Sequence, residues 1–324
     1  MRFDLTDEQR AIQDSARSLA AKHFDPTRQP AQGDPFWPEL AANGFAGIAV
    51  GDQHGGQGLG LLECALVVEE LGRALAPATF LNNAAAAALL NIAGDDAMQQ
   101  RWLPGMASGE HRAALAFGDG EVAVTLDAAG ASVLLVAGGD TVRIVEGMPD
   151  LAVAPGALDL SRTVARADVS DARPLQEDRA AALDQVEVLL SAELVGVAQR
   201  ALELAVEHAT QRQQFGRSIG TYQAVSHRCA DVLVAVESAR SAVLGAAWTA
   251  DHEPELLGFA ASVAKVTASD AAWEATAAAL QIFGGMGFTW EHPIHRFLRR
   301  ARMTAGLLSS ADTHLERLAT IAGL

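Results

Sequence analysis

Apolar and polar positions follow two different periods along this chain, and the change between them divides it into three. Thr6-Asp7-Glu8-Gln9 reads as a capping box, with the Thr6 hydroxyl accepting from the Gln9 amide while the Gln9 side chain reaches back. Ile12, Ala16, Leu19 and Ala20 then recur at helical spacing and predict an amphipathic first helix. After a Pro/Gly/Asp loop, Phe36-Trp37-Pro38-Glu39-Leu40 starts a short helix toward Gly44. Further helices are expected over 61–75, 84–90 and 97–103, so that 1–112 reads as an all-helical domain. The period then shortens. Val-rich runs at 122–126, 132–136, 141–145 and 151–153, parted by Gly, Asp and Pro, predict a small antiparallel β domain of few strands over 113–177. From 178 to 324 the helical period returns, over 180–208, 224–250, 256–283 and 311–321. Helices this long with one Ala/Leu/Val face suggest an antiparallel bundle.

Composition narrows the picture. The 324 residues are 50% hydrophobic and 20% charged, which is enough for a sizeable core, and aromatics are only 5%. Small side chains between the helices therefore imply close packing. A net charge of −16 argues against nucleic acid or an anionic membrane as the main partner. Cys64 and Cys229 have neither metal-ligand nor redox spacing and read as packing residues in a reducing, cytoplasmic setting. No apolar run reaches transmembrane length, the N-terminus shows no signal-peptide pattern, and no metal site is expected.

Three stretches could carry chemistry. The glycine-rich 52–60 lacks a preceding strand and the G-x-G-x-x-G spacing of a dinucleotide loop, so a structural turn is the better reading. Gln281-Ile282-Phe283-Gly284-Gly285-Met286-Gly287 ends a helical run; this is a helix C-cap with its loop, or a glycine surface where a flat ligand meets the Gln281 amide. Between two bundle helices lies Arg212-Gln213-Gln214-Phe215-Gly216-Arg217-Ser218-Ile219-Gly220-Thr221-Tyr222-Gln223, where a planar cation suited to phosphate sits near an aromatic face. For an isolated arginine in a loop, solvation is the better explanation.

Together, R-x-x-F-G-x-x-I-x-x-x-Q at 212–223 and Q-x-x-G-G-x-G at 281–287 resemble the flavin-contacting signatures of the acyl-CoA dehydrogenase family. The helical–β–helical order and the turn at 54–58 resemble it too, so the likeness covers essentially the whole chain. The resemblance implies a mainly α fold: an N-terminal helical domain, a small truncated middle β domain and a C-terminal antiparallel four-helix bundle. It also implies FAD as cofactor and an acyl-CoA thioester as substrate. By the same resemblance Arg212 holds the FAD pyrophosphate, Phe215 packs on the adenosine and Gln223 borders the flavin. Gln281, Gly284 and Gly285 line the adenine–ribose–phosphate path of a neighbouring subunit's FAD.

Two departures qualify this. The family's catalytic glutamate position falls on Leu308, which cannot take a proton. Asp251, at a helix end with Glu253 and Glu255 behind it, is the candidate substitute base. In the middle domain, where the family presents Thr/Ser and Trp against the flavin ring, the chain reads Ala116-Phe117-Gly118-Asp119-Gly120-Glu121. These losses resemble the degenerate partner subunit of heteromeric (α₂β₂) acyl-CoA dehydrogenases of bacterial steroid side-chain degradation, which completes the FAD site of a catalytic chain in trans. The alternatives are an autonomous dehydrogenase using Asp251, a flavin-less structural subunit and a related flavin-dependent hydroxylase.

Overall fold

The computed structural model describes residues 4–25, 36–175 and 179–324; the loop expected before Phe36 and the boundary expected at 177/178 lie outside them. Five helices come first: α1 (Asp7–His23), α2 (Phe36–Ala42), α3 (Leu61–Arg73), α4 (Thr79–Ala93) and α5 (Asp96–Ser108). The capping box at Thr6 and Gln9 is present. Stretch 52–60 is a turn without a preceding strand, as the pattern indicated.

Helices α4 and α5 are longer than expected. Thirteen of the fifteen residues of α4 are buried, so it has no polar face to mark its ends. Its asparagines are spent on packing: Asn82 donates to the Leu126 carbonyl at 2.7 Å and Asn83 to that of Ala46 at 3.1 Å. Pro104 does not stop α5, because Trp102, Leu103, Met106 and Ala107 around it are all held in the core.

The β region is richer than the pattern suggested. Strands β1 (Ala113–Phe117), β2 (Val122–Leu126), β3 (Val133–Gly138), β4 (Thr141–Glu146), β5 (Leu151–Val153), β6 (Val164–Asp168) and β7 (Arg173–Pro174) form one sheet in the order β5-β6-β2-β1-β3-β4-β7. It is not purely antiparallel, since β1 and β3 run parallel, with Leu115 opposite Leu135. β1 was hidden because it is central and buried throughout; its Ala-rich sequence lacks the alternation that marks a half-exposed strand.

Three long helices follow: α6 (Arg179–Gln211), α7 (Gln223–His252) and α8 (Leu257–Phe283), with the hairpin β8 (Gln213–Gln214) and β9 (Arg217–Ser218) joining α6 to α7. Two shorter helices follow, α9 (Ile294–Ala305) and α10 (Ala311–Ile321). α6 is the axis of the molecule and packs on α3 through glycine. A Cβ on Gly196 would stand 1.9 Å from the Glu69 carbonyl, and one on Gly72 would stand 2.6 Å from that of Glu193.

A buried polar knot ties the three regions together. The Arg300 guanidinium on α9 donates to Asp159 in the β5–β6 connection, to Glu193 on α6 (3.1 Å) and to the Ala76 carbonyl before α4 (3.0 Å). Ser161 Oγ accepts from it at 2.8 Å, and Thr304 donates to Glu193 at 2.7 Å. Arg162 closes the knot on Glu193. Burial pushes the Asp159 and Glu193 carboxyls up, but the two arginines outweigh it and hold both below the usual carboxylate range.

Candidate functional site

At the end of the bundle where α6 stops, the hairpin makes a two-residue turn with Phe215 at φ +52° and Gly216 at φ +79°. Two successive positive φ values are the geometry for which Asn-Gly is preferred, and a phenylalanine there is strained by about 1–2 kcal/mol. Nothing among the described residues compensates: Phe215 is 93% exposed. It lines a hollow of about 670 Å³ with Gln214, Ile219, Tyr222, Gln281 and Ile282. The two signature motifs, nearly seventy residues apart in sequence, thus meet on one surface. Arg217 braces the hairpin from behind, its guanidinium 4.0 Å from the centre of the Tyr222 ring.

The other expected residues lie around this hollow without lining it. Arg212 is exposed, and its guanidinium makes no ion pair with another described residue. Gln223 is the exposed first residue of α7. Gln281 stands on the last turn of α8, and Gly284 ends that helix at φ +58°, ψ −137°, a conformation open essentially to glycine alone. Gly285 differs from Gly284. Its φ is not in the left-handed region and a Cβ on it would meet nothing within 4 Å, so nothing within this chain requires glycine there.

The residues present suit one edge of a FAD molecule. They offer an aromatic face, amides, a bare glycine surface and a solvent-facing arginine for phosphate charge. They do not form an enclosure, since the hollow is open to one side. Groups for a flavin ring are scarcer. The hydroxyls of Thr125 and Thr141 are spent on the Leu115 and Gly138 carbonyls, at 2.8 and 2.9 Å. The β3–β4 turn presents only Gly139 and Asp140 to the hollow that holds Leu308.

Leu308 sits between α9 and α10 at φ +62° and lines that hollow of about 920 Å³. Behind it lies a carboxylate the sequence did not single out. Glu187 on α6 accepts from Lys265 Nζ at 2.7 Å and from Ser309, and Lys265 also donates to the Leu307 carbonyl at 3.0 Å. His314 completes the cluster, 2.8 Å from Ser309 Oγ and 3.0 Å from Ser262 Oγ. Burial raises the Glu187 carboxyl, yet Lys265 and these hydrogen bonds bring it below the usual range. An ionised carboxylate held this way pins the loop. Its signal in the sequence was a glutamate interrupting the apolar run Val186 to Leu190.

Asp251, the candidate base, has a hydrogen-bonding role in the structure. Its two carboxylate oxygens accept the backbone amides of Leu61 at 2.9 Å and Leu62 at 3.3 Å, which caps the N-terminus of α3. Burial raises this carboxyl against those two amides. It stands at the far end of α7, about 40 Å along the helix from Gln223. Glu253 and Glu255 beyond it are exposed.

Comparison with known proteins agrees with this architecture. Residues 6–110 match the family model for the acyl-CoA dehydrogenase N-terminal domain and 180–320 that for the C-terminal domain. The chain is 35% identical over 321 residues to acyl-CoA dehydrogenase IpdE2 of Mycobacterium tuberculosis, covering 96% of each. Among solved structures it resembles the Tcur3481–Tcur3483 steroid ACAD, with TM-score 0.83, 27% identity and 98% of each chain covered. It shares the fold of the ChsE4–ChsE5 complex of Mycobacterium tuberculosis, with TM-score 0.83, 24% identity and coverage of 100% of this chain and 99% of that one. FAD is the cofactor of this family, and the 212–223 and 281–287 motifs stand on one surface of a helical–β–helical chain whose two helical parts both match it. The chain belongs to the acyl-CoA dehydrogenase family.

Proposed function

We propose that this chain is a subunit of a FAD-dependent acyl-CoA dehydrogenase that completes a FAD site held mainly by a second, catalytic chain. The observation that carries this reading is Phe215: a wholly exposed aromatic in a strained turn, sharing a hollow with Gln281 and touching nothing that rewards the strain. Arg212 would face the pyrophosphate, Phe215 the adenosine, and Gln281, Gly284 and Gly285 the path between them, with Gln223 bordering the flavin. Bound FAD supplies a hydride acceptor for Cβ of an acyl thioester, while a carboxylate takes the Cα proton. This chain offers no free carboxylate for that proton where the family carries it: Leu308 is inert and Glu187 is bound by Lys265. Asp251 is a helix cap.

The outer face of α7 supports a partner. Its buried residues, Val232, Val236, Ala239, Val243, Ala246 and Ala247, form one narrow stripe, leaving Leu233 and Val234 exposed on the other side. The Tcur3481–Tcur3483 relative is named for two components and for steroid substrates. On that basis the assembly is α₂β₂ and the acyl group steroid-derived. The test is Arg212→Ala in the purified assembly of this chain with its catalytic partner. Flavin should be lost on gel filtration while the assembly stays intact; undiminished flavin would overturn the assignment.

A further inference from the structure

The turn that follows Gly284 is held by an unusual set of rings. Phe283, the last residue of α8, is buried and flanked by two histidines. The His208 ring on α6 lies 4.3 Å from it and the His292 ring 4.0 Å, centre to centre. His292 has a second task, since its Nδ1 accepts the backbone amide of Ile294, the first residue of α9, at 3.3 Å. A ring nitrogen can accept only when it carries no proton, and a cation at a helix N-terminus is opposed by the helix dipole. The α9 end of the 284–293 segment therefore depends on an uncharged imidazole, and the Phe283 end on ring packing.

The surroundings reinforce that state. Arg212 on α6 acts on His208, His208 acts on His292, and Arg296 and Arg299 on α9 act on the neighbouring His295; Glu207 and Glu291 adjoin the two rings in sequence. Burial, and then Arg212, holds His208 below the usual histidine range; burial, and then His208, does the same for His292. The Nε2 of His295 is buried without a hydrogen-bond partner.

We propose that His208 and His292 are positioning residues: packed on Phe283 they fix the glycine turn at 284–288, and protonation of His292 in mild acid, which removes its acceptor from the Ile294 amide, releases it. The turn's part in holding FAD rests on the function proposed above; the ring clamp itself does not. The direction follows from linkage. A released segment leaves both histidines with their ordinary affinity for protons, so it binds more protons than the clamped one as pH falls below about 6.5. Clamping is complete above that value and weakens below it, by up to about tenfold for each pH unit by which a clamped histidine lies below its ordinary value.

Amide hydrogen exchange of the chain, followed by mass spectrometry from pH 8 to 5.5 and expressed as protection factors, tests this. Peptides covering 284–293 should lose protection about tenfold toward pH 5.5, while α4 and β1 keep theirs. His208→Phe with His292→Asn retains an aromatic face and an amide acceptor and cannot charge, and should abolish the response. Unchanged protection in the wild type, or an equal loss in the double variant, would overturn the proposal. Flavin retention by the assembled enzyme over the same range reads the separate question. A clamp that opens without loosening FAD upholds the positioning role and refutes the FAD assignment of this turn.

Discussion

Two polar regions of this molecule are built on opposite terms. Around Arg300 the charges are buried and paired: the guanidinium donates to Asp159, Glu193, Ser161 and the carbonyls of Leu75 and Ala76, and in the whole knot only Arg162 Nε lacks a hydrogen bond among the described residues. Around Phe215 the ring is exposed, the backbone is strained and Arg212 faces solvent. The first region is complete within one chain and serves folding. The second carries strain that no described residue offsets, which is what the proposed function would explain.

The largest effect should come from breaking the complete region. Arg300→Ala strands Glu193 and Asp159 in the core, and should cost about 3–5 kcal/mol in urea unfolding. Those two carboxyls lie below their ordinary values when folded, so the stability they contribute is present above about pH 4 and lost as pH falls through their folded values. Acid titration of unfolding should therefore be shallower in the variant; an equal slope would mean the knot does not hold them. Asp251→Ala should come next. It removes the cap of α3 and should lower stability by about 1–2 kcal/mol while turnover of the assembled enzyme is retained. A variant that folds normally but is catalytically dead would return Asp251 to the list of bases.

Phe215→Asn should give the smallest effect on stability, with the opposite sign. Asparagine accepts the left-handed turn before Gly216, so the isolated chain should gain about 1 kcal/mol. The assembly should meanwhile retain less flavin. If the variant is neutral for both, the strained ring has no function in this account.

Much of the fold was legible in the sequence, because helical period, capping box and Val-rich runs are local signals. Helix α10 falls over 311–321 as expected, and α6, α7 and α8 within a few residues. Elements buried on all sides were harder to read. β1 and the ends of α4 lack a polar face, and periodicity measures contrast between faces. The two motifs were legible in the sequence, and folding brings Phe215 and Gln281 to one hollow. The capping role of Asp251 was not legible, because the amide pair it accepts comes from a helix 190 residues away. Glu187 escaped notice because its partners, Lys265, Ser309 and His314, come from three other segments.

The central claim is that this chain supplies one edge of a flavin site and a partner supplies the rest. Flavin-to-protein stoichiometry with native mass, measured on the chain alone and again after co-purification with a complete dehydrogenase subunit encoded beside it, tests it most directly. The account predicts little or no flavin alone and about one FAD per heterodimer in an α₂β₂ assembly. A homo-oligomer of this chain that carries a full complement of FAD and dehydrogenates acyl-CoA would contradict it.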